Sequence, residues 1–120
     1  MTLGLAVHPE AAVELQDAVD WYDQGGKERG QTFLKAYNDT VDRCLLWPDS
    51  GVVLPGDEDV DPRDRPTQNP DQVDVHGAKI PRSSYWVIYY LEHETVSIVA
   101  VAHERRRPGY WLARISHRSA

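Results

Sequence analysis

Four side chains that can bind phosphate or move protons lie within eight residues near the C-terminal end of the chain: His103, Arg105, Arg106 and Tyr110. Arginine keeps its charge at any physiological pH, and its planar fork matches the oxygens of a phosphate. Histidine titrates near neutrality, which suits a general acid or base. If the preceding strand continues, residues 103 and 105 project to the same side. We therefore predict a phosphate-binding or catalytic surface at the end of that strand.

The same residues also have a purely structural interpretation. The run Arg105–Arg107 could be a solubilising, salt-bridged strand end. His103 could be partly buried with its hydrogen bonds satisfied, and Tyr110 and Trp111 could anchor the C-terminal segment. For Trp111 we favour the anchoring interpretation, and for the other residues the sequence leaves both open.

Other kinds of chemistry have little support in the sequence. Cys44 is the single cysteine, which excludes an internal disulfide and a multi-cysteine zinc site, and we expect it to be a small buried hydrophobe. His8, expected near a helix cap, His93 and His117 are scattered and match no close metal-ligand spacing. No Gly-rich phosphate loop is present. We therefore predict neither a metal nor a cofactor.

The charge of the chain is divided unevenly. The 120 residues have a formal net charge of -6. Residues 1–74 carry 6 Lys/Arg against 16 Asp/Glu, a net of -10, whereas residues 75–120 carry 7 against 3, a net of +4. This split predicts an acidic surface and a small basic one. Since no apolar segment is long enough for a membrane span and the N-terminus does not resemble a signal peptide, we expect one cytoplasmic domain covering residues 1–120.

Two helices are predicted in the N-terminal half. A short apolar strand at 2–7 precedes Pro9, which fits the first turn of a helix that Gly25-Gly26 ends. A second amphipathic helix runs from about 28 to 47 and ends before Pro48. The two form a hairpin, and each has an apolar stripe that must pack on something else, most naturally a sheet.

Strand periodicity takes over after a long acidic, proline-rich loop at about 48–72. Three strands are predicted, at 73–80, 85–91 and 95–102. The last is apolar on both faces, so we expect it to be central. A short C-terminal helix from Tyr110 would place Arg114 on the same face one turn later. The predicted fold class is α+β: an N-terminal strand, a helical hairpin and an antiparallel sheet, in the order β-α-α-β-β-β with a short C-terminal helix.

An ordered set of segments carries a family resemblance: Ala11-Ala12-Val13-Glu14-Leu15 with Trp21-Tyr22, Gly30 with Phe33, Leu46-Trp47-Pro48, Tyr85-Trp86-Val87-Ile88-Tyr89, and Ile98-Val99-Ala100-Val101-Ala102-His103 with Arg105, Arg106 and Tyr110-Trp111. In this order they resemble the RelE/ParE superfamily of type II toxin–antitoxin toxins, often labelled plasmid stabilisation proteins. The resemblance covers most of the chain and omits residues 49–72. It implies a small α+β fold and growth inhibition that a cognate antitoxin protein neutralises.

The resemblance implies two different activities. RelE-like members cleave mRNA on the ribosome, whereas ParE-like members bind DNA gyrase and perform no chemistry. For metal-independent RNA cleavage we predict His103, Arg105, Arg106 and Tyr110 as catalytic residues; of these, the resemblance implies Arg105 or Arg106, and Tyr110. Substrate-binding residues would be His76, Lys79, Arg82, Arg107 and Arg114.

The earlier strands depart from the nuclease pattern. The strand at 73–80 offers only His76 and Lys79, Arg82 lies in the following turn, and Trp86 stands where an arginine is often found. mRNA cleavage therefore stays one hypothesis. A non-enzymatic gyrase inhibitor and a weakly toxic, antitoxin-binding relative are the alternatives.

Overall fold

The computed structural model describes residues 3–53, 75–106, 109–111 and 114–115, with the backbone alone described at Lys27 and Val53. The elements are β1 (Gly4–Val7), α1 (Pro9–Asp23), α2 (Lys27–Leu46), β2 (Val52–Val53), β3 (Val75–Lys79), β4 (Tyr85–Glu92) and β5 (Thr95–His103). The predicted α+β class and element order are confirmed, and the bounds differ from the predicted ones by only a residue or two.

The helices of the hairpin begin and end close to where their capping residues predict. The His8 Nδ1 accepts the Glu10 N–H at 3.1 Å, and Pro9 occupies the first turn of α1. The turn after α1 contains Gly26 at φ +133°, a backbone conformation that glycine adopts without steric cost. The helix α2 follows at once and packs against α1, which leaves one face of each helix for the sheet.

All five strands form one sheet in the order β1-β5-β4-β3-β2. The pair β1–β5 is parallel, and the other neighbouring pairs are antiparallel. The predicted central position of the last strand is confirmed, because β5 lies between β1 and β4. Parallel pairing of β1 is possible because a long stretch of chain separates it from β5.

A bulge in β5 decides which of its side chains face the helices. The register shifts between Ile88 and Tyr89 of β4 and leaves Val99 as an extra residue on β5. Side chains alternate along a strand, so one extra residue exchanges the two faces. Val96 and Ile98 join the helix-side core before the bulge, and Val101 joins it afterwards.

Both faces of the sheet are covered. The helix side carries the larger core, to which α2 contributes Phe33 and a fully buried Cys44. The prediction that Cys44 is a small buried hydrophobe is confirmed. The opposite face packs against Trp111, which is 4% exposed, and Ile115 lies beside this second cluster. Trp111 therefore has the anchoring position that the sequence favours.

The prediction of a loop throughout 48–72 is wrong for its first residues. Pro48–Ser50 forms a 3₁₀ turn, and β2 pairs with β3. The buried Tyr89 hydroxyl fixes this segment, because it donates to the Pro48 carbonyl at 2.8 Å and accepts the Gly51 N–H at 3.2 Å. A side chain at Gly51 would collide with that hydroxyl.

Some predicted segments fall partly or wholly outside the described residues. They are the remainder of the acidic loop, the first two residues of the strand predicted at 73–80, and part of the C-terminal helix. The predicted start of that helix at Tyr110 is wrong, because residues 109–111 form a turn, whereas residues 114 and 115 are helical. In the part of the chain that the structure describes, no helix is both long and apolar enough to cross a membrane.

Candidate functional site

The strand β5 extends beyond β1 and leaves part of its edge without a neighbouring strand. The strand β1 ends opposite Ile98, and β5 continues for several residues. Backbone groups on that edge need other partners. Two side chains supply them: Arg114 donates to the Val99 carbonyl at 2.8 Å, and Glu14 accepts the Val101 N–H at 3.0 Å.

Glu14 lies on α1, is 11% exposed at its side chain, and binds three further groups. The Tyr110 hydroxyl donates to its Oε2 at 2.6 Å. Arg114 binds both carboxylate oxygens, with Nη1 2.9 Å from Oε1 and Nη2 3.2 Å from Oε2. Arg106 Nη1 lies 3.4 Å from Oε2. We call Glu14, Arg106, Tyr110 and Arg114 the Glu14 cluster.

The Tyr110 ring is the second centre of this cluster. The Arg106 guanidinium lies 4.0 Å from the ring centroid and that of Arg114 lies 5.1 Å from it, both within cation–π range. The Arg114 side chain is 12% exposed and that of Arg106 is 54% exposed. A second carboxylate, Glu10, is 3.8 Å from Arg114 but 66% exposed. Glu14 is therefore the buried counter-charge of the cluster.

Burial and the Glu14 carboxylate both shift the pKa values of Tyr110 and Arg114. Burial raises the pKa of the Tyr110 hydroxyl, and the hydrogen bond that it donates to Glu14 raises that pKa further. Burial acts to lower the pKa of Arg114, but its bonds to Glu14 outweigh this effect and the pKa is raised. Tyr110 is thus held neutral and Arg114 is held charged, which is the pairing that the hydrogen bonds require.

His103 and Arg105 lie outside the Glu14 cluster, in a turn at the end of β5. The His103 Nδ1 accepts the Arg105 N–H at 3.1 Å, and the Arg106 N–H donates to the His103 carbonyl at 2.9 Å. The predicted continuation of the strand is wrong, because these two bonds fold residues 103–106 into a turn. The His103 ring packs edge-on against Tyr85, and Arg105 is exposed without an ion pair to any described residue.

His76 is buried in a different part of the molecule. Its ring stacks on Tyr89 with the ring centroids 5.4 Å apart, and its Nδ1 lies 3.2 Å from the Gly51 carbonyl oxygen. The side chain is 8% exposed and holds β2 against β3. These contacts place His76 in the packing of the sheet edge.

The other predicted substrate-binding residues are also dispersed. Lys79 ends β3 and donates to the Ser83 carbonyl, and Arg82 is exposed in the turn that follows, at φ +60°. Arg107 lies outside the described residues. Arg114 alone of this group joins the predicted catalytic residues, because it contacts the same carboxylate as Arg106 and Tyr110.

Sequence reasoning missed the central residue of the cluster. Glu14 stands at helical spacing from the buried Ala11 and Ala18, beside the apolar stripe of α1, but its four partners lie 87 to 100 residues away along the chain. No local spacing identifies those partners. The unbalanced charge of the two halves indicates a cross-chain pairing without identifying its members.

The chemistry open to this arrangement is limited. A carboxylate saturated by a tyrosine, two guanidinium groups and a backbone N–H makes a firm structural junction. It offers a phosphate no unbound hydroxyl, and of its two cations Arg114 is 12% exposed whereas Arg106 is 54% exposed. Across residues 3–53 and 75–106 and the short described pieces after them, no three potential ligands group together to hold a metal ion.

The fold has a solved counterpart. No protein-family model and no curated protein sequence matches this chain. One chain of the structure of the chromosomal ParDE TA system from P. aeruginosa is similar to it, with a TM-score of 0.60 and 16% sequence identity. The similarity covers 84% of this chain and 95% of that chain. The protein therefore has the RelE/ParE-like fold that the sequence resemblance implies.

Proposed function

We propose that this protein is the toxin of a type II toxin–antitoxin system, which acts in the cytoplasm and is neutralised by a cognate antitoxin. The fold shared with a chain of a ParDE TA system supports this proposal. Most of the sequence segments that carry the family resemblance lie in α1, α2, β4 and β5 of this fold. Growth arrest on induction in the absence of any partner is the expected result, and normal growth with abundant folded protein would contradict it.

Among the possible modes of action, we propose inhibition without RNA cleavage. The observation that carries this choice is the 2.6 Å hydrogen bond from the Tyr110 hydroxyl to Glu14. A tyrosine with this partner and a raised pKa is poorly suited to receive a proton from an attacking hydroxyl. Arg114 is 12% exposed and is bound to the same carboxylate at 2.9 Å, so its guanidinium is not open to an incoming phosphate. By family resemblance, the target is DNA gyrase.

The response of cells to induction distinguishes the modes. A gyrase inhibitor raises a DNA-damage reporter first and slows supercoiling by purified gyrase, whereas an mRNA nuclease stops translation at once. The variant Tyr110→Phe sharpens the test, because it removes the hydroxyl and keeps the ring between the arginines. We expect folded Tyr110→Phe to stay toxic. Loss of both toxicity and mRNA cleavage in that variant would assign the hydroxyl a catalytic role.

A nuclease centred on the turn after β5 is the second candidate. Its support is the exposed Arg105 next to His103, where a cation and a titratable ring stand together outside the Glu14 cluster. The double variant His103→Ala with Arg105→Ala would abolish mRNA cleavage if this candidate holds. mRNA cleavage that persists in the same folded variant would exclude it.

A further inference from the structure

The Glu14 cluster directs more hydrogen-bond donors at one carboxylate than a carboxylate has places to accept them. Oε1 accepts from the Val101 N–H at 3.0 Å and from Arg114 Nη1 at 2.9 Å. Oε2 accepts from the Tyr110 hydroxyl at 2.6 Å, from Arg114 Nη2 at 3.2 Å and from Arg106 Nη1 at 3.4 Å. A carboxylate has about four lone-pair sites, and five donors converge on this one. The contact from Arg106 is the longest, since this donor has no lone pair of its own.

The cluster also holds more positive charge than Glu14 balances. Arg106 and Arg114 carry two positive charges, whereas Glu14 supplies one buried negative charge. Glu10 lies 3.8 Å from Arg114, but its side chain is 66% exposed and water screens its charge. Both guanidinium groups also lie within cation–π range of the Tyr110 ring, a contact that does not involve the carboxylate. An anion with more oxygens and more charge than a carboxylate therefore matches these groups better.

The position that the carboxylate fills lies just below the protein surface. The Glu14 side chain is 11% exposed, and the adjacent Arg106 side chain is 54% exposed. The helix that carries Glu14 is held against the core independently, by the buried Ala11 and Ala18. Truncation of Glu14 to alanine therefore vacates the position of the carboxylate and leaves room for a small oxyanion that solvent can deliver.

We propose that Val101, Arg106, Tyr110 and Arg114 form a phosphate-binding site that Glu14 closes by occupying it as an internal anion. A phosphate group carries about 1.5 to 2 negative charges near pH 7 and has several strong acceptor oxygens, so it matches both guanidinium groups and shares out the donors. Glu14 thus sets the selectivity of the site: the parent chain excludes phosphate there, and a chain without this carboxylate binds it. The inference rests on the proposed function in one respect, because this exclusion is the reason that we expect no RNA cleavage.

Other ligand classes fit the vacated site less well. A carboxylate from another molecule would have the same shortage of lone pairs and of charge as Glu14 itself. A metal cation would be repelled by the guanidinium groups of Arg106 and Arg114. Phosphate is therefore the class of ligand that the donors and the charge select.

Anion rescue of Glu14→Ala tests the site directly. The substitution removes the counter-charge of Arg114 and should lower the melting temperature, and an anion that takes the place of the carboxylate should restore part of it. Thermal melts in sodium phosphate, sodium acetate and sodium chloride of equal ionic strength compare this variant with the parent. Phosphate should stabilise Glu14→Ala in a saturable way, with an affinity at least about tenfold tighter than that of the parent.

Two results of these melts would overturn the proposal. One is equal stabilisation of the variant and the parent by phosphate. The other is rescue of Glu14→Ala by acetate that equals or exceeds rescue by phosphate. If Glu14→Ala does not fold in chloride, its refolding in phosphate becomes the readout, and failure to refold would overturn the proposal as well. Binding of a short oligonucleotide with the same affinity would identify backbone phosphate as the ligand, and binding of inorganic phosphate alone would identify the free ion; both retain the site.

Matched carboxylate variants separate the site from a general effect of charge. Glu10→Ala removes a carboxylate from the same helix and beside the same arginine, but an exposed one, and should gain no phosphate affinity. Glu14→Gln removes the charge but keeps the position filled, so it should gain far less than Glu14→Ala. An equal gain in either control would contradict occupation of the site by Glu14.

Substitution of arginines in the Glu14→Ala background identifies the groups that hold the anion. Arg106→Gln should weaken phosphate binding about tenfold, because it removes a charge-assisted donor. Arg29→Gln removes an exposed arginine of α2 outside the cluster and should leave the affinity within about twofold. Equal effects of the two substitutions would place the bound phosphate elsewhere.

The outcome is separable from the proposed function. The melts use purified protein and do not depend on toxicity, so a toxic chain whose Glu14→Ala variant gains no phosphate affinity would refute the site alone. A chain that gains the affinity but whose parent never inhibits growth would refute the proposed function and retain the site.

Discussion

Replacing Glu14 by glutamine should destabilise the fold far more than replacing its neighbour Glu10. The Glu14 carboxylate balances the charge of Arg114, which is only 12% exposed, and accepts hydrogen bonds from Tyr110 and the Val101 backbone. Removing one partner of a buried ion pair costs about 3–5 kcal/mol. Glutamine keeps one carbonyl acceptor, so we expect a loss of about 2–4 kcal/mol, a large share of the total of roughly 5–15 kcal/mol.

Glu10 provides the internal control. It lies one helical turn earlier, 3.8 Å from the same Arg114, but it is 66% exposed. Exposed ion pairs contribute about 0–1 kcal/mol, so Glu10→Gln should unfold close to the parent protein.

Urea unfolding followed by circular dichroism measures both variants, with amide hydrogen exchange at Val101 as the local readout. A double-mutant cycle of Glu14→Gln with Tyr110→Phe should give a coupling energy of about 0.5–3 kcal/mol. If Glu14→Gln stays within about 0.5 kcal/mol of the parent, below the range expected for a buried pair, the cluster does not anchor the C-terminal segment. Additive effects of the two substitutions would contradict the direct contact.

Three further predictions concern Tyr89, Gly51 and Cys44, in or beside the core on the helix side of the sheet. Burial raises the pKa of Tyr89 to about 12, so its contribution to stability is complete below pH 10, the ordinary tyrosine value, and is lost as pH rises toward 12. Alkaline unfolding should show a smaller loss in Tyr89→Phe than in the parent, and part of the loss should remain because burial also raises the pKa of Tyr110. Gly51→Ala should cost about 1–3 kcal/mol, because its new methyl group meets the Tyr89 hydroxyl, whereas Gly25→Ala meets only a flexible arginine and should be nearly neutral in a thermal melt. Cys44 is 1% exposed, so a thiol reagent should label it only at the rate of unfolding; rapid labelling of the folded chain would contradict its burial.

The elements could be predicted from the sequence because their signals are local. Pro9 and Gly26 fix the ends of α1 through their own backbone preferences. The strand β5 is central because its sequence is apolar on both faces. The segment at 48–53 was missed for the opposite reason. Its structure depends on hydrogen bonds to the Tyr89 hydroxyl, about forty residues away along the chain. The sequence around Tyr89 does not indicate what that hydroxyl binds.

The candidate site shows the same division. Of the residues that composition and spacing singled out, the structure brings Arg106, Tyr110 and Arg114 together around Glu14, whereas His103 and Arg105 lie outside this cluster. The pairing of Arg106 and Arg114 with Glu14 could not be predicted, because the spacing of Glu14 from Ala11 and Ala18 places it beside the apolar stripe of α1 without indicating which distant groups it contacts. The strand edge of β5 beyond β1 explains the position of Glu14 and Arg114. That edge has a backbone N–H and a backbone carbonyl without strand partners; Glu14 accepts from the Val101 N–H, and Arg114 donates to the Val99 carbonyl.

Among the described residues, the positive charges of the C-terminal half therefore do not form a single surface. Arg106 and Arg114 are bound to Glu14, while Arg105 remains exposed at the end of β5. Lys79 ends β3 two strands away, about 10 Å across the sheet at the usual strand spacing. Arg105 is exposed in the turn after β5, whereas the Tyr110 hydroxyl is bound to Glu14 at 2.6 Å. This difference supports our proposal of a binding toxin over a nuclease built on Tyr110, since the exposed cation can attract a partner while the hydroxyl stays bound to its carboxylate.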